Sequence, residues 1–163
     1  MKFLPISLFF VAMLAATGVL GAGGGTDPFH SDKERQDPVV TGIQAAVASA
    51  DWPRAQELAR AGVAKNPANP DYHNLYAYSI RMGANPEMEL VFRHYNEALR
   101  LDPRHLGAHE YLGEAYLQVG NLDKAKEELR TLDKLCFFSC KEFAMLKKAV
   151  AEYEAKRTAA PSK

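Results

Sequence analysis

Excess charge of either sign is missing from this sequence: 20 Lys and Arg face 20 Asp and Glu, a formal net charge of zero. A binder of nucleic acid or of an acidic lipid surface needs a basic surplus, so both classes are disfavoured. Cysteine is scarce, at two residues, and tryptophan occurs once. No Ser-His-Asp grouping, Gly-rich phosphate loop or H-E-x-x-H run is present. The five histidines, His30, His73, His94, His105 and His109, are scattered, and after His109-Glu110 it is Gly113 that stands where a second zinc-binding histidine belongs. Glu110 and Glu114 would suit acid–base work only in a closed pocket, which nothing in the sequence supplies. An enzyme is therefore the least supported class, and no cofactor is expected. Period-two alternation is lacking as well, so no strand is expected.

What is present begins with MKFLPISLFFVAMLAATGVLGAGGG, where Lys2 is the only charge and the apolar run goes from Phe3 to about Leu20. This has the form of a secretory signal peptide, assigned to residues 1–22. The same run is about long enough to span a membrane, so an uncleaved anchor is the alternative and the one route to membrane association. Either form sends the folded part to an oxidising, extracytoplasmic space, and a bacterial periplasm suits a short signal before one compact domain. Residues 23–37, rich in Gly and charge, read as a flexible tether. Residues 158–163 read as a disordered tail.

Between Pro38 and Arg157 helix alternates with short polar breaks. Asp37-Pro38, Asp51-Trp52-Pro53, Asn69-Pro70, Asn85-Pro86 and Asp102-Pro103 each set a capping side chain at or before a proline. The Asp or Asn oxygen accepts an orphan amide, and proline sits in the first turn at no cost because its missing N–H has no partner there. Runs such as ELARAGVAK and LVFRHYNEAL carry apolar residues at helical spacing. The fold class is all-α.

The helices repeat. Tyr78-Ser79, Met82, Val91, Tyr95, Ala98 and Pro103 recur 34 positions later as Leu112-Gly113, Tyr116, Ala125, Leu129, Leu132 and Phe137. On these residues, and most of all in GAHEYLGEAYLQVGNLDKAKEELRTL, the chain resembles the tetratricopeptide-repeat family. His109, Leu112-Gly113, Tyr116, Ala125 and Leu129 fall at that family's aromatic, Leu-Gly, Tyr, Ala and Phe positions. Gly113 and Ala125 are expected to let the two helices of one repeat approach closely. The resemblance implies a short right-handed superhelical solenoid of antiparallel helix pairs. Its repeats run at about 38–69, 70–105 and 106–137, and a capping helix at 140–156 closes a helical domain of 38–157. The middle repeat departs from the pattern at Ser79 and Val91 and carries a short insertion. The first has Ile43 and Ala46 for the family's Gly and Tyr. In the cap, Phe143, Leu146, Val150 and Tyr153 form one apolar stripe that covers the last repeat.

Cys136 and Cys140 lie in CFFSC, the corner between that repeat and its cap. Ser139 and Glu142 form a capping box, which starts the last helix near Cys140, with Phe137 or Phe138 turned into the core. Three readings of the thiols are open. One is a disulfide, favoured by an oxidising compartment. Another is a metal site with His105 and His109, one helical turn apart. The third is a redox pair, for which C-x-x-x-C lacks the usual tighter spacing.

The resemblance also implies that the first helix of each pair lines a groove. By the family's pattern the groove presents His73, Tyr76 and Ile80 from the middle repeat, and Gly107, Glu110, Glu114 and Leu117 from the third. The Lys and Asn residues with which some members clamp a terminal carboxylate are absent. The function so implied is a non-catalytic adaptor of the cell envelope that binds a protein or peptide with apolar and basic side chains. The alternative is a periplasmic metal-binding or thiol-redox protein built on Cys136, Cys140, His105 and His109.

Overall fold

The computed structural model describes residues 37–137 and 140–159. The expected signal peptide, the tether up to residue 36, Phe138, Ser139 of the capping box and residues 160–163 lie outside them. The described residues form seven helices and no strand: α1 (Pro38–Ala48), α2 (Trp52–Lys65), α3 (Pro70–Met82), α4 (Met88–Leu101), α5 (Leu106–Gln118), α6 (Leu122–Leu135) and α7 (Lys141–Ala159). Among the described residues, no helix is long and apolar enough to cross a membrane.

Side-chain caps start most of the helices. Asp37 accepts from the amides of Val39 and Val40, Asp51 from Arg54, Asn69 from Asp71 and Asn121 from Lys124. Two starts differ from expectation. Helix α4 begins only at Met88, after Glu87, and has no side-chain cap; Asn85-Pro86 stays in the loop. Helix α5 is capped by His105, whose Nδ1 accepts from the Ala108 amide, while Asp102 turns to the Arg104 amide. The last helix runs two residues into the segment expected as a tail.

Helices α1/α2, α3/α4 and α5/α6 pair as hairpins, and α7 packs on both α5 and α6. The odd-numbered helices also touch one another in series, α1 to α3, α3 to α5 and α5 to α7, whereas α2, α4 and α6 do not. The odd helices therefore build one inner wall, and α7 stands in it where the first helix of a further repeat belongs. Three apolar clusters fill the stack: one around Ile43 and Tyr72, one around Tyr95 and Leu112, and one around Leu132 and Leu146. Ala55, Ala59, Ala77, Ala98, Ala108, Ala115 and Ala125 are wholly buried, which lets the helix axes approach closely.

Gly113 serves a different contact from the expected one. A Cβ there would lie 2.5 Å from Leu146 Cδ2, so its missing side chain makes room first of all for α7. At the corner before α7, Cys136 and Cys140 are joined as a disulfide, their Cα atoms 5.7 Å apart. Phe137 is 93% exposed and does not turn into the core, because Leu132 and Leu146 already fill the space between α6 and α7.

Candidate partner-binding face

The inner wall depends on the register of α3, which two histidines reveal. His73 Nε2 donates to the Pro67 carbonyl at 2.9 Å, and His109 Nε2 donates to the Pro103 carbonyl at 3.1 Å. These matching corners are 36 positions apart, whereas α4 and α6 start 34 apart. The two extra residues fall in the α3–α4 loop, 83–87, against 119–121 in the next hairpin. Helix α3 is thus turned relative to the expected pattern. His73, Tyr76 and Ile80 face into the α3/α4 pair: His73 and Tyr76 pack on His94, and Ile80 joins the cluster with Val91 and Tyr95. The residues matching Glu110, Glu114 and Leu117 are Asn74, Tyr78 and Arg81.

These residues form a linked set. Trp52 and Tyr78 meet edge to face at 6.1 Å between centroids, and Tyr78 and Tyr111 lie 4.5 Å apart. The Arg81 guanidinium carbon sits 5.4 Å from the Tyr78 ring centroid and 6.0 Å from that of Tyr111. Arg81 Nη2 donates to Glu114 Oε2 at 2.7 Å, and its Nε donates to the buried Tyr95 hydroxyl at 3.4 Å. Burial works against its charge, but Tyr95 and Glu114 outweigh that and raise its pKa above the ordinary value. Burial, with Glu110 nearby, pushes the Tyr111 phenol up to about 12.

Beside this set an open cleft of about 310 Å³ runs between α3, α5 and α7. Arg81, Glu114, Leu117 and Gln118 form one wall, and Ala149, Glu152, Tyr153 and Lys156 the other. Of the expected groove residues, the structure brings Glu114 and Leu117 to this cleft. Glu110 is buried at 2% exposure, so it is not the wet helix surface that a charged pair one turn apart suggests.

The metal reading does not assemble. The two sulfurs are bonded to each other. His105 Nε2 donates to Asp71 Oδ1 at 3.0 Å, and His109 Nδ1 donates to Glu128 Oε2 at 2.7 Å. Among the described residues, no group of three or more His, Cys, Asp and Glu is placed to hold a metal ion.

The matching corners differ in charge, with consequences for pH. In α1/α2 the equivalent pair is apolar, Val39 and Leu58. In α3/α4, His73 has its Nε2 hydrogen committed to Pro67, so its Nδ1 accepts from His94 Nδ1–H at 2.8 Å. Burial, and then the adjoining His73 ring and the Arg93 charge, hold His94 down at about 4. In α5/α6, both His109 nitrogens donate. Burial opposes that charge, but the Glu128 carboxylate and Pro103 carbonyl outweigh it and raise the pKa. His94 therefore contributes stability above its unfolded value near 6.5 and loses it as pH falls toward 4, while His109 contributes below about 6.5 and loses it as pH rises through its raised pKa. On acidification from pH 7 to 5, amide protection corrected for intrinsic exchange should fall in α3/α4 and rise in α5/α6. His94→Glu, which copies the Glu128 corner, should reverse the first trend.

Residues 92–150 match the family model described as tetratricopeptide repeat. No curated protein matches the chain significantly in sequence. Among solved structures, the type III secretion translocator chaperone SycD of Yersinia enterocolitica is similar at TM-score 0.63 and 17% identity, over 85% of this chain and 97% of that one. PcrH in complex with the chaperone-binding region of PopD gives TM-score 0.61 and 18% identity, over 80% and 96%. The Sgt2 tetratricopeptide domain of Aspergillus fumigatus gives 0.62 and 21%, over 82% and 87%. At these identities the likeness is one of fold.

Proposed function

From a chain whose residues 92–150 are of the tetratricopeptide-repeat family, within an all-α solenoid of the same kind, we infer a non-catalytic adaptor that binds a segment of a partner protein. The carrying observation is the cleft between α3, α5 and α7, beside the Tyr78–Tyr111 aromatic pair that Arg81 covers and lined by Leu117, Ala149 and Tyr153 together with charged side chains. Apolar walls hold side chains of a bound segment, and Arg81, Glu114, Glu152 and Lys156 fix its register. Support comes from two relatives in fold. PcrH is solved with the chaperone-binding region of PopD, and SycD with a peptide of the translocator YopD. Stacked repeats of this kind present extended concave surfaces that serve as interaction scaffolds.

The proposed setting is extracytoplasmic, most simply a bacterial periplasm. The apolar run from Phe3 to about Leu20 and the Cys136–Cys140 bond support it.

A photo-crosslinking residue at Gln118, in the cleft, should capture a partner in intact cells, and one at Arg93, on the solvent face of α4, should not. Adding Leu117→Arg should abolish the Gln118 product in a protein that keeps its helical circular-dichroism spectrum, at some cost in melting temperature because Leu117 packs beside the Leu132–Leu146 cluster. Equal capture from both positions, or capture that ignores Leu117→Arg, would dismiss the cleft.

A further inference from the structure

We propose that the α5/α7 junction is a proton-controlled latch on the cleft. With Glu110 protonated, α7 sits against Gly113; with Glu110 ionised, α7 swings away from α5 about the Cys136–Cys140 corner. The inference adds regulation to the cleft of the adaptor reading and rests on it only for its functional meaning.

Glu110 is 2% exposed, and its Oε1 has no hydrogen-bond partner. The charged and titratable groups facing it are Tyr78 and Arg81 of α3, Tyr111 and Glu114 of α5, and Lys141 and Glu142 of α7. Neither cation is free to neutralise it. Arg81 is bound to Glu114 at 2.7 Å, and Lys141 lies in solvent, 3.7 Å from Glu142. A buried carboxylate left in this state takes up a proton or forces its cover to move. Burial, then repulsion by Glu114 and Glu142, brings its pKa to about 7, where a modest change of pH decides between the two.

Packing does not require this carboxyl. At the matching position of α1 stands Val40, buried in the first apolar cluster, and in α3 stands Asn74. The cover is also the part whose position sets the cleft: Ala149, Glu152, Tyr153 and Lys156 of α7 form its far wall. The disulfide limits the travel, because it ties the residue before α7 to the end of α6. Acid thus holds the cleft in the form seen here, and alkali widens it.

The test uses the protein alone, without any partner. Amide protection factors across α7, corrected for intrinsic exchange, should fall about tenfold or more between pH 5 and 8.5, the direction required for a carboxyl that binds its proton more tightly when buried. Glu110→Gln, which copies the protonated form, should stay protected and flat across that range. Glu142→Gln keeps Glu110 but removes a repelling charge, so it should lower the Glu110 pKa and shrink the loss of protection; a loss as large as the wild type's would overturn the latch. A wild-type profile without pH dependence, or a Glu110→Gln profile that follows the wild type, overturns the latch. Neither result bears on crosslinking at Gln118, so failure of the latch and failure of the adaptor reading remain distinguishable.

Discussion

A Gly113→Val protein should be destabilised by about 2–3 kcal/mol, with α7 coming away from the stack before the rest unfolds. Two effects compete at this position. Side chains other than proline improve on glycine inside a helix, by up to about 1 kcal/mol for alanine. Against that, a Cβ meets Leu146 Cδ2 at 2.5 Å and Cδ1 at 2.7 Å. Those carbons are the far end of a flexible side chain, so Gly113→Ala should come out within about 1 kcal/mol of the parent. Valine adds two methyl groups and holds one preferred rotamer in a helix, so it cannot turn away from a wholly buried Leu146. Leu146→Ala alone should cost about 2–5 kcal/mol. In the double variant the new methyl groups enter the space the leucine leaves, so the two costs should fall short of additive by about 1 kcal/mol or more. Urea denaturation gives the energies, and amide exchange shows whether the loss starts in α7. Strict additivity would mean that the two residues do not share a seat.

The seat also shows what the sequence reveals and where it stops. The helices, their order and the closing role of α7 follow from proline-marked starts and apolar spacing, since a terminal repeat must have its apolar side covered. The Pro67–Pro103 spacing exposes a two-residue insertion but not its place. The structure puts it in the loop at 83–87, and two residues turn a helix by about 200°. That rotation carries His73, Tyr76 and Ile80 into the hairpin and brings Asn74, Tyr78 and Arg81 to the wall. A signal was present: His73 and His109 each stand six residues after a proline, and Gly83-Ala84-Asn85-Pro86 is rich in turn formers. The burial of Glu110 had no such signal. A glutamate one turn from another reads as wet surface, and the groups that close on it come from the distant α3 and α7. The Glu128 partner of His109 is likewise a meeting across two helices that spacing along one helix cannot show.

The same wall carries the second large effect. Arg81→Ala should cost about 2–3 kcal/mol, read as the shift in the urea midpoint. Its side chain is 7% exposed, so its loss leaves Glu114 without this cation in a setting that already holds Glu110, and takes the Nε donor from the Tyr95 hydroxyl. Glu114 keeps 26% of its side-chain surface in contact with water, which holds the figure below the range for a wholly buried pair. Lost packing over Tyr78 and Tyr111 adds roughly 0.5–1 kcal/mol. Arg81→Met with Glu114→Gln removes both charges and keeps the volume, so it should recover most of the loss. Acidification should help the single variant more than the parent, because protons relieve the stranded carboxylates. A single variant within about 1 kcal/mol of the parent would rank the Arg81–Glu114 pair with ordinary surface pairs. The double variant has a further use: with stability restored, any weakening of capture at Gln118 reports what these two charges do for the bound segment itself.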